Sequence, residues 1–168
     1  ALCSRTALAM HDPRAHILEL ERQLTIPYEA GGHVHRLTAK LDRVDQLPDG
    51  SFRVVDYKTG AARSKLTEPA RHDLQLGIYA MALEHEQGGP VRGVAEYWVL
   101  ATGERGMIDF ARLDRQKIKD AIDQAANGMM QGKFPRGADC RGPCALLDVS
   151  TNPAQPGELS LPSMPVRM

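Results

Sequence analysis

Hydrophobic and polar residues change their period several times along the chain, and each change marks an element. From Ile17 to Glu29 apolar residues alternate with polar ones closely enough for a strand, ending near Pro27. From Leu37 to Gly60 two runs of β-formers flank Pro48-Asp49-Gly50, a turn signal, which predicts a β-hairpin. The period then lengthens. Pro69 is expected to open a helix reaching about Gln87, with Leu74, Ile78, Met81 and Ala82 on its buried stripe. Gly88-Gly89-Pro90 ends it. Val94 to Ala101 reads as a near-continuous strand, Thr102-Gly103 as a turn, and Gly106 to Phe110 as a further strand. Ile118, Ile122, Ala125 and Met129 recur at helical spacing and predict a second helix, from Leu113 to Gln131. Ala1 to Arg14 reads as weakly structured or as the tail of a lost helix, with Asp12-Pro13 as a breaker. The order βββαββα predicts an α/β sandwich around a mixed sheet. From Asp148 onward Pro153, Pro156, Pro162 and Pro165 mark a tail without fixed structure, so one domain is expected over residues 1–147.

The predicted hairpin carries the chemistry. Centring its loop on Asp49 sets Asp42 opposite Asp56 and Lys40 opposite Lys58. Residues two apart on a strand share a face, so Asp56 and Lys58 point the same way. That face gathers two carboxylates and an ammonium, while the other pairs Asp45 with Arg53 in an ordinary cross-strand ion pair. Converging carboxylates repel unless a cation holds them, and a hard divalent ion such as Mg²⁺ or Mn²⁺ suits two aspartates. A solvated hairpin with alternating charges is the competing reading. Val54-Val55-Asp56-Tyr57 weighs against it, because a carboxylate directly after two buried-type β-branched residues is costly without a partner.

Composition narrows the class without naming the chemistry. The chain has 168 residues, 42% of them hydrophobic, enough for one sizeable core. No run approaches a membrane span, no signal peptide opens the sequence, and no P-loop is present. Acidic and basic residues balance, so nothing global draws the chain to nucleic acid. Locally, Arg36, Lys40, Arg43, Arg53, Arg63, Lys65 and Arg71 gather in and after the hairpin. Lys40, Arg63 and Lys65 are the candidates for contacting a phosphate backbone.

Three ordered motifs resemble the RecB-like branch of the PD-(D/E)XK nuclease superfamily, which includes the nuclease domains of RecB- and AddB-type helicase-nucleases. They are Ala39-Lys40-Leu41-Asp42-Arg43-Val44-Asp45, then Val54-Val55-Asp56-Tyr57-Lys58-Thr59-Gly60, then Gln75-Leu76-Gly77-Ile78-Tyr79. Ala39 stands where that branch has glycine. The resemblance implies a restriction-endonuclease-like sandwich, a mixed central sheet flanked by helices. It implies that Asp42, Asp56 and the carbonyl of Tyr57 ligate Mg²⁺ or Mn²⁺. Lys58 would position or help deprotonate the attacking water, with Gln75 and Tyr79 supporting the site from a helix. Gln75 and Tyr79 are four apart and share a helical face in any case.

Two family features are incomplete. RecB-like sites take a His from an upstream helix, and here His11, His16, His33 and His35 are candidates by chemistry alone. The upstream helical part is therefore expected to be missing from the domain. AddB-like relatives hold an iron–sulfur cluster with four cysteines, whereas this chain has Cys3, Cys140 and Cys144. Cys140 and Cys144 thus read as a degenerate remnant of such a cluster. Unpaired thiols without a secretory signal point to the cytoplasm. The expectation is a metal-dependent deoxyribonuclease, an exonuclease acting on DNA beside a helicase domain or subunit in repair and recombination. The alternative is a catalytically silent module of the same fold that binds DNA or a partner protein.

Overall fold

The computed structural model describes residues 2–133, with side chains from Arg5 onward. Cys140, Cys144 and the Pro-rich tail lie outside the described residues, as does the side chain of Cys3. The chain divides into a compact unit, Ala1–Asn127, and a second, Gly128–Met168. The described part of the second is the end of a helix and a turn up to Lys133.

In chain order the elements are α1 (Leu2–Met10), β1 (His16–Ala30), β2 (His33–Gln46), β3 (Phe52–Lys58), α2 (Ser64–Thr67) and α3 (Leu74–Glu86). They continue with β4 (Gly93–Val99), β5 (Glu104–Asp109), a 3₁₀ turn at Phe110–Arg112 and α4 (Arg115–Met130). The strands form one sheet in the order β1-β2-β3-β4-β5. Only the β3–β4 pairing is parallel, so the sheet is mixed. The predicted order of strands and long helices is the observed one, with α1, α2 and the 3₁₀ turn added.

The hairpin keeps the register centred on Asp49: Val44 pairs with Val54 and Asp45 with Arg53. Asp49 itself closes the turn, accepting the Ser51 N–H at 3.0 Å and its hydroxyl at 2.6 Å. The ladder ends at Arg43 and Val55, so Asp42 and Asp56 are not a ladder pair. Lys40 does not face Lys58; it pairs with Gln23 of β1, and its ammonium lies 3.0 Å from Glu21. The cause is a slip in alternation. Leu41 and Val44 are three apart yet both join the core beneath α3, which strict alternation forbids. Glu21, between the β1 partners of Leu41 and Arg43, has φ 51°, and the β1–β2 register shifts between Ile17 and Glu19.

β1 continues through Pro27 rather than ending there. It is an edge strand, where a missing N–H is tolerated. α3 starts at Leu74 rather than at Pro69, because the Asp73 carboxylate caps it by accepting the Leu76 N–H at 3.0 Å. Its buried residues are Leu76, Gly77, Tyr79, Ala80, Ala82 and Leu83, while Leu74 is exposed and Ile78 and Met81 are half-buried. Of the expected stripe only Ala82 is fully inside. The helix is apolar nearly all round, so its sequence offers no single stripe to read. In α4, Ile118 and Ile122 face inward as expected, but Ala126 takes the place of Ala125 and Met129 is exposed.

One face of the sheet carries the main core, in which Leu41, Val54, Leu76, Leu83 and Ile118 are almost fully buried. The other face holds a smaller cluster of Met10, Val55, Trp98 and Leu100, with Ala7 of α1 packed against it. Helices therefore flank the sheet on both sides. Two glycines set close approaches: a Cβ on Gly77 would lie 2.5 Å from Ile118 Cδ1, and one on Gly106 would lie 1.8 Å from the Leu66 carbonyl oxygen.

Candidate active site

At the end of β3, alternation points Asp56 and Lys58 to the α3 side of the sheet. Lys58 Nζ lies 2.6 Å from Asp56 Oδ2. α3 crosses above them and presents Gln75 and Tyr79 from one face, as their four-residue spacing requires. Gln75 Nε2 donates to Asp56 Oδ1 at 2.7 Å and to the Tyr79 hydroxyl oxygen at 2.8 Å. The Tyr79 hydroxyl in turn donates to Asp56 Oδ1 at 2.9 Å. Gln75 Oε1 accepts from Lys58 Nζ at 3.0 Å. Asp42 joins from β2, where its Oδ2 accepts the Tyr57 N–H at 2.8 Å. The carboxylate thus takes a backbone donor just past the point where the β2–β3 ladder stops.

Asp56 is 4% exposed. Burial pushes its carboxyl above the usual range, and the charge of Asp42 adds to the rise against the opposing pull of Lys58 and Tyr79. Its Oδ1 accepts two hydrogen bonds, and its buried Oδ2 is held by the Lys58 ammonium at 2.6 Å. Burial of this carboxylate near a second acid is costly, and a divalent cation shared with Asp42 would offset that cost. Among the described residues no three His, Cys, Asp or Glu side chains group closely enough to hold a metal. Two carboxylates suffice for Mg²⁺, which keeps several waters and takes substrate phosphate as further ligands. Asp42 and Asp56 fit that requirement. The Tyr57 N–H donates to Asp42, which leaves the Tyr57 carbonyl free of that contact.

Two further residues belong to this network and were not singled out from sequence. Tyr97 of β4, beside Asp56 in the parallel ladder, donates to Asp73 Oδ1 at 2.9 Å and lies 3.3 Å from Gln75 Oε1. Its ring sits 5.0 Å from Lys58 Nζ. Burial holds the hydroxyls of Tyr79 and Tyr97 above the usual tyrosine range, so both remain donors. The only sequence signal for Tyr97 was an aromatic in a buried strand.

Arg63 and Lys65 are exposed on the connection between β3 and α3, directly after the site lysine. Lys40 is 60% exposed along its side chain and is occupied by Glu21. Among the described residues none of the four candidate histidines forms a hydrogen bond or ion pair with Asp42 or Asp56. His11 lies against Arg43, its Nδ1 2.7 Å from Nη2, and His35 lies 3.3 Å from the Ala30 carbonyl. Asp45 and Arg53 pair as expected, but not as an ordinary surface pair. Asp45 is fully buried, accepts from Arg43 at 2.6 Å and from Arg53 at 2.6 Å, and lies on the face that α1 covers. Arg43, Arg53 and Arg105 stack around the buried Trp98 at 5.3, 5.4 and 4.6 Å from its ring.

A mixed five-stranded sheet is flanked by helices and carries an Asp, an Asp-Tyr-Lys strand end and a supporting Gln and Tyr. The family model of the PD-(D/E)XK nuclease superfamily matches residues 3–149. The chain belongs to that superfamily, and its sheet and helices form the restriction-endonuclease-like α/β fold. Nuclease action is the general activity of the superfamily. No curated protein matches the sequence. Among solved structures, the one described as "Crystal structure of SSO0001" is similar at 15% identity and a TM-score of 0.49, over 78% of this chain and 57% of that one. The chain thus spans little more than half the length of that relative.

Proposed function

We propose that this chain is a Mg²⁺- or Mn²⁺-dependent deoxyribonuclease, the nuclease module of a RecB- or AddB-like DNA repair and recombination system. The single observation that carries the reading is the buried Asp56 carboxylate, its Oδ2 paired with Lys58 and its pKa raised by burial and by the charge of Asp42. Asp42 and Asp56 would hold the metal, which when bound supplies Lewis-acid polarisation of the scissile phosphate. Lys58 offsets developing charge on that phosphate and orients the attacking water, while Gln75 holds the ammonium in place. Tyr79 and Gln75 fix Asp56 in one rotamer through Oδ1, which leaves Oδ2 on the Lys58 side of the carboxylate.

The basic residues near the site support a polyanionic substrate. Arg63, Lys65 and Arg71 have no ion pair among the described residues, as is also true of Arg36 and Arg112, but only the first three lie on the connection that leaves the site. Unneutralised cations on the loop that leaves the site are placed to follow a phosphate backbone. A cytoplasmic location and a helicase domain or subunit as partner belong to the same reading.

A second reading is a silent module that binds DNA or a protein, and the absence of a third side-chain ligand among the described residues favours it. Degradation of linear DNA by the protein with Mg²⁺ or Mn²⁺, compared with Lys58→Ala and Asp56→Ala, separates the two. Metal-dependent loss of DNA in the wild type alone is the expected result. Equal DNA binding by all three with no cleavage by any establishes the silent module instead.

A further inference from the structure

We propose that Tyr97 is a positioning residue that holds Lys58 and Gln75 in register with Asp56 by tying β4 to the start of α3. The inference rests on the reading of Lys58 as the lysine of the cleavage site. Lys58 has three neighbours: Asp56 Oδ2, Gln75 Oε1 and the face of the Tyr97 ring. The first two hold the ammonium by charge and hydrogen bond, and the ring adds a cation–π attraction at 5.0 Å. Tyr97 is 3% exposed, so it is itself held by packing rather than by solvent.

The hydroxyl completes the link. It donates to Asp73 Oδ1, the same oxygen that accepts the Leu76 N–H and caps α3. One carboxylate oxygen thus fixes both the first turn of α3 and the strand next to β3. Gln75 is the second residue of that turn, and its amide has four contacts: Asp56, Tyr79, Lys58 and Tyr97. A reversed amide would set its N–H groups against the lysine ammonium, so the orientation is dictated by its neighbours. A displaced helix start would move Gln75 away from both Asp56 and Lys58. A strand tyrosine thereby acts on the lysine through the helix cap, without touching substrate.

The test uses four proteins: wild type, Tyr97→Phe, Tyr97→Leu and Asp73→Ser. The serine keeps a good helix cap but does not reach Tyr97. The rate of acetylation of the Lys58 amine by acetic anhydride is measured relative to that of Lys65, alongside kcat, KM and the melting temperature. Lys58 is expected to react several-fold faster in Tyr97→Phe and Asp73→Ser, and faster still in Tyr97→Leu, with Lys65 unchanged. kcat is expected to fall at least tenfold in Tyr97→Leu with KM within twofold of wild type. An unchanged Lys58 rate in a folded Tyr97→Phe or Asp73→Ser protein overturns the proposal. If the leucine variant does not fold, the other two carry the decision. A wild type that cuts no DNA defeats the nuclease reading alone, since the acetylation rates still judge the role of Tyr97.

Discussion

At the scale of single residues, the account turns on a carboxylate kept where it is least comfortable. Asp56 is buried beside a second acidic group, so its ionised form destabilises the metal-free fold. Its pKa is raised on folding, so its contribution to stability is fully present below the unfolded value of 3.8 and is lost as pH rises through the raised folded value. Asp56→Asn removes that loss. Chemical unfolding of the metal-free proteins should show the asparagine variant gaining on wild type as pH increases from acid to neutral, then holding a constant lead. Added Mn²⁺ should raise the melting temperature of wild type and leave that of the variant unmoved. For catalysis, Lys58→Ala should reduce the cleavage rate by about 10²–10³-fold, the scale for loss of one group that stabilises developing charge. Initial rates on linear duplex DNA with Mg²⁺ measure it. The pairing of Asp56 with Lys58 was legible because two-residue periodicity needs no tertiary knowledge. The link between Asp73 and Tyr97 was not, since it joins residues more than twenty positions apart, although the Asp73 cap on Leu76 is local.

Elements show where local pattern suffices and where packing overrides it. The Asp49 turn fixed the β2–β3 register, because an aspartate that bonds its own following backbone specifies a hairpin locally. It did not extend to Asp42, for Leu41 and Val44 both have to lie under α3 and the strand gives up its alternation there. The start of α3 was misplaced because Pro69 is a strong opening signal in sequence, whereas Asp73 has an acceptor that reaches Leu76. Seating of α2 depends on Gly106, since any side chain there meets the Leu66 carbonyl. Gly106→Ala should destabilise the protein by about 1–3 kcal/mol, the cost of overpacking. It should also weaken DNA binding, because α2 sits in the loop that carries Arg63 and Lys65. Urea unfolding and fluorescence anisotropy with labelled DNA report the two effects separately.

For the whole molecule, the sheet divides two kinds of buried charge. The α3 side holds the Asp56 carboxylate of the site, paired with the single ammonium of Lys58, and the α1 side holds Asp45 neutralised by two guanidinium groups, Arg43 and Arg53, around Trp98. The second group is structural, and Asp45→Ala should cost about 3–5 kcal/mol by leaving two guanidinium groups buried without a counter-ion. Sequence showed one of those pairings and not the network, because Trp98 joins it only when β4 pairs with β3, and α1 then packs against that face. Formal net charge is zero, so DNA affinity should depend on the few unpaired cations of the β3–α3 connection. Its salt slope should be shallow, about −2 to −3 in log affinity against log salt. Among the described residues no helix is long and apolar enough to cross a membrane. The central claim, that Asp42 and Asp56 together grip a divalent ion next to Lys58, is most directly tested by counting Mn²⁺ bound to the protein–DNA complex by electron paramagnetic resonance. Wild type and Lys58→Ala should take up at least one ion that Asp42→Ala and Asp56→Ala both lose. Identical Mn²⁺ uptake by all four proteins would contradict the claim.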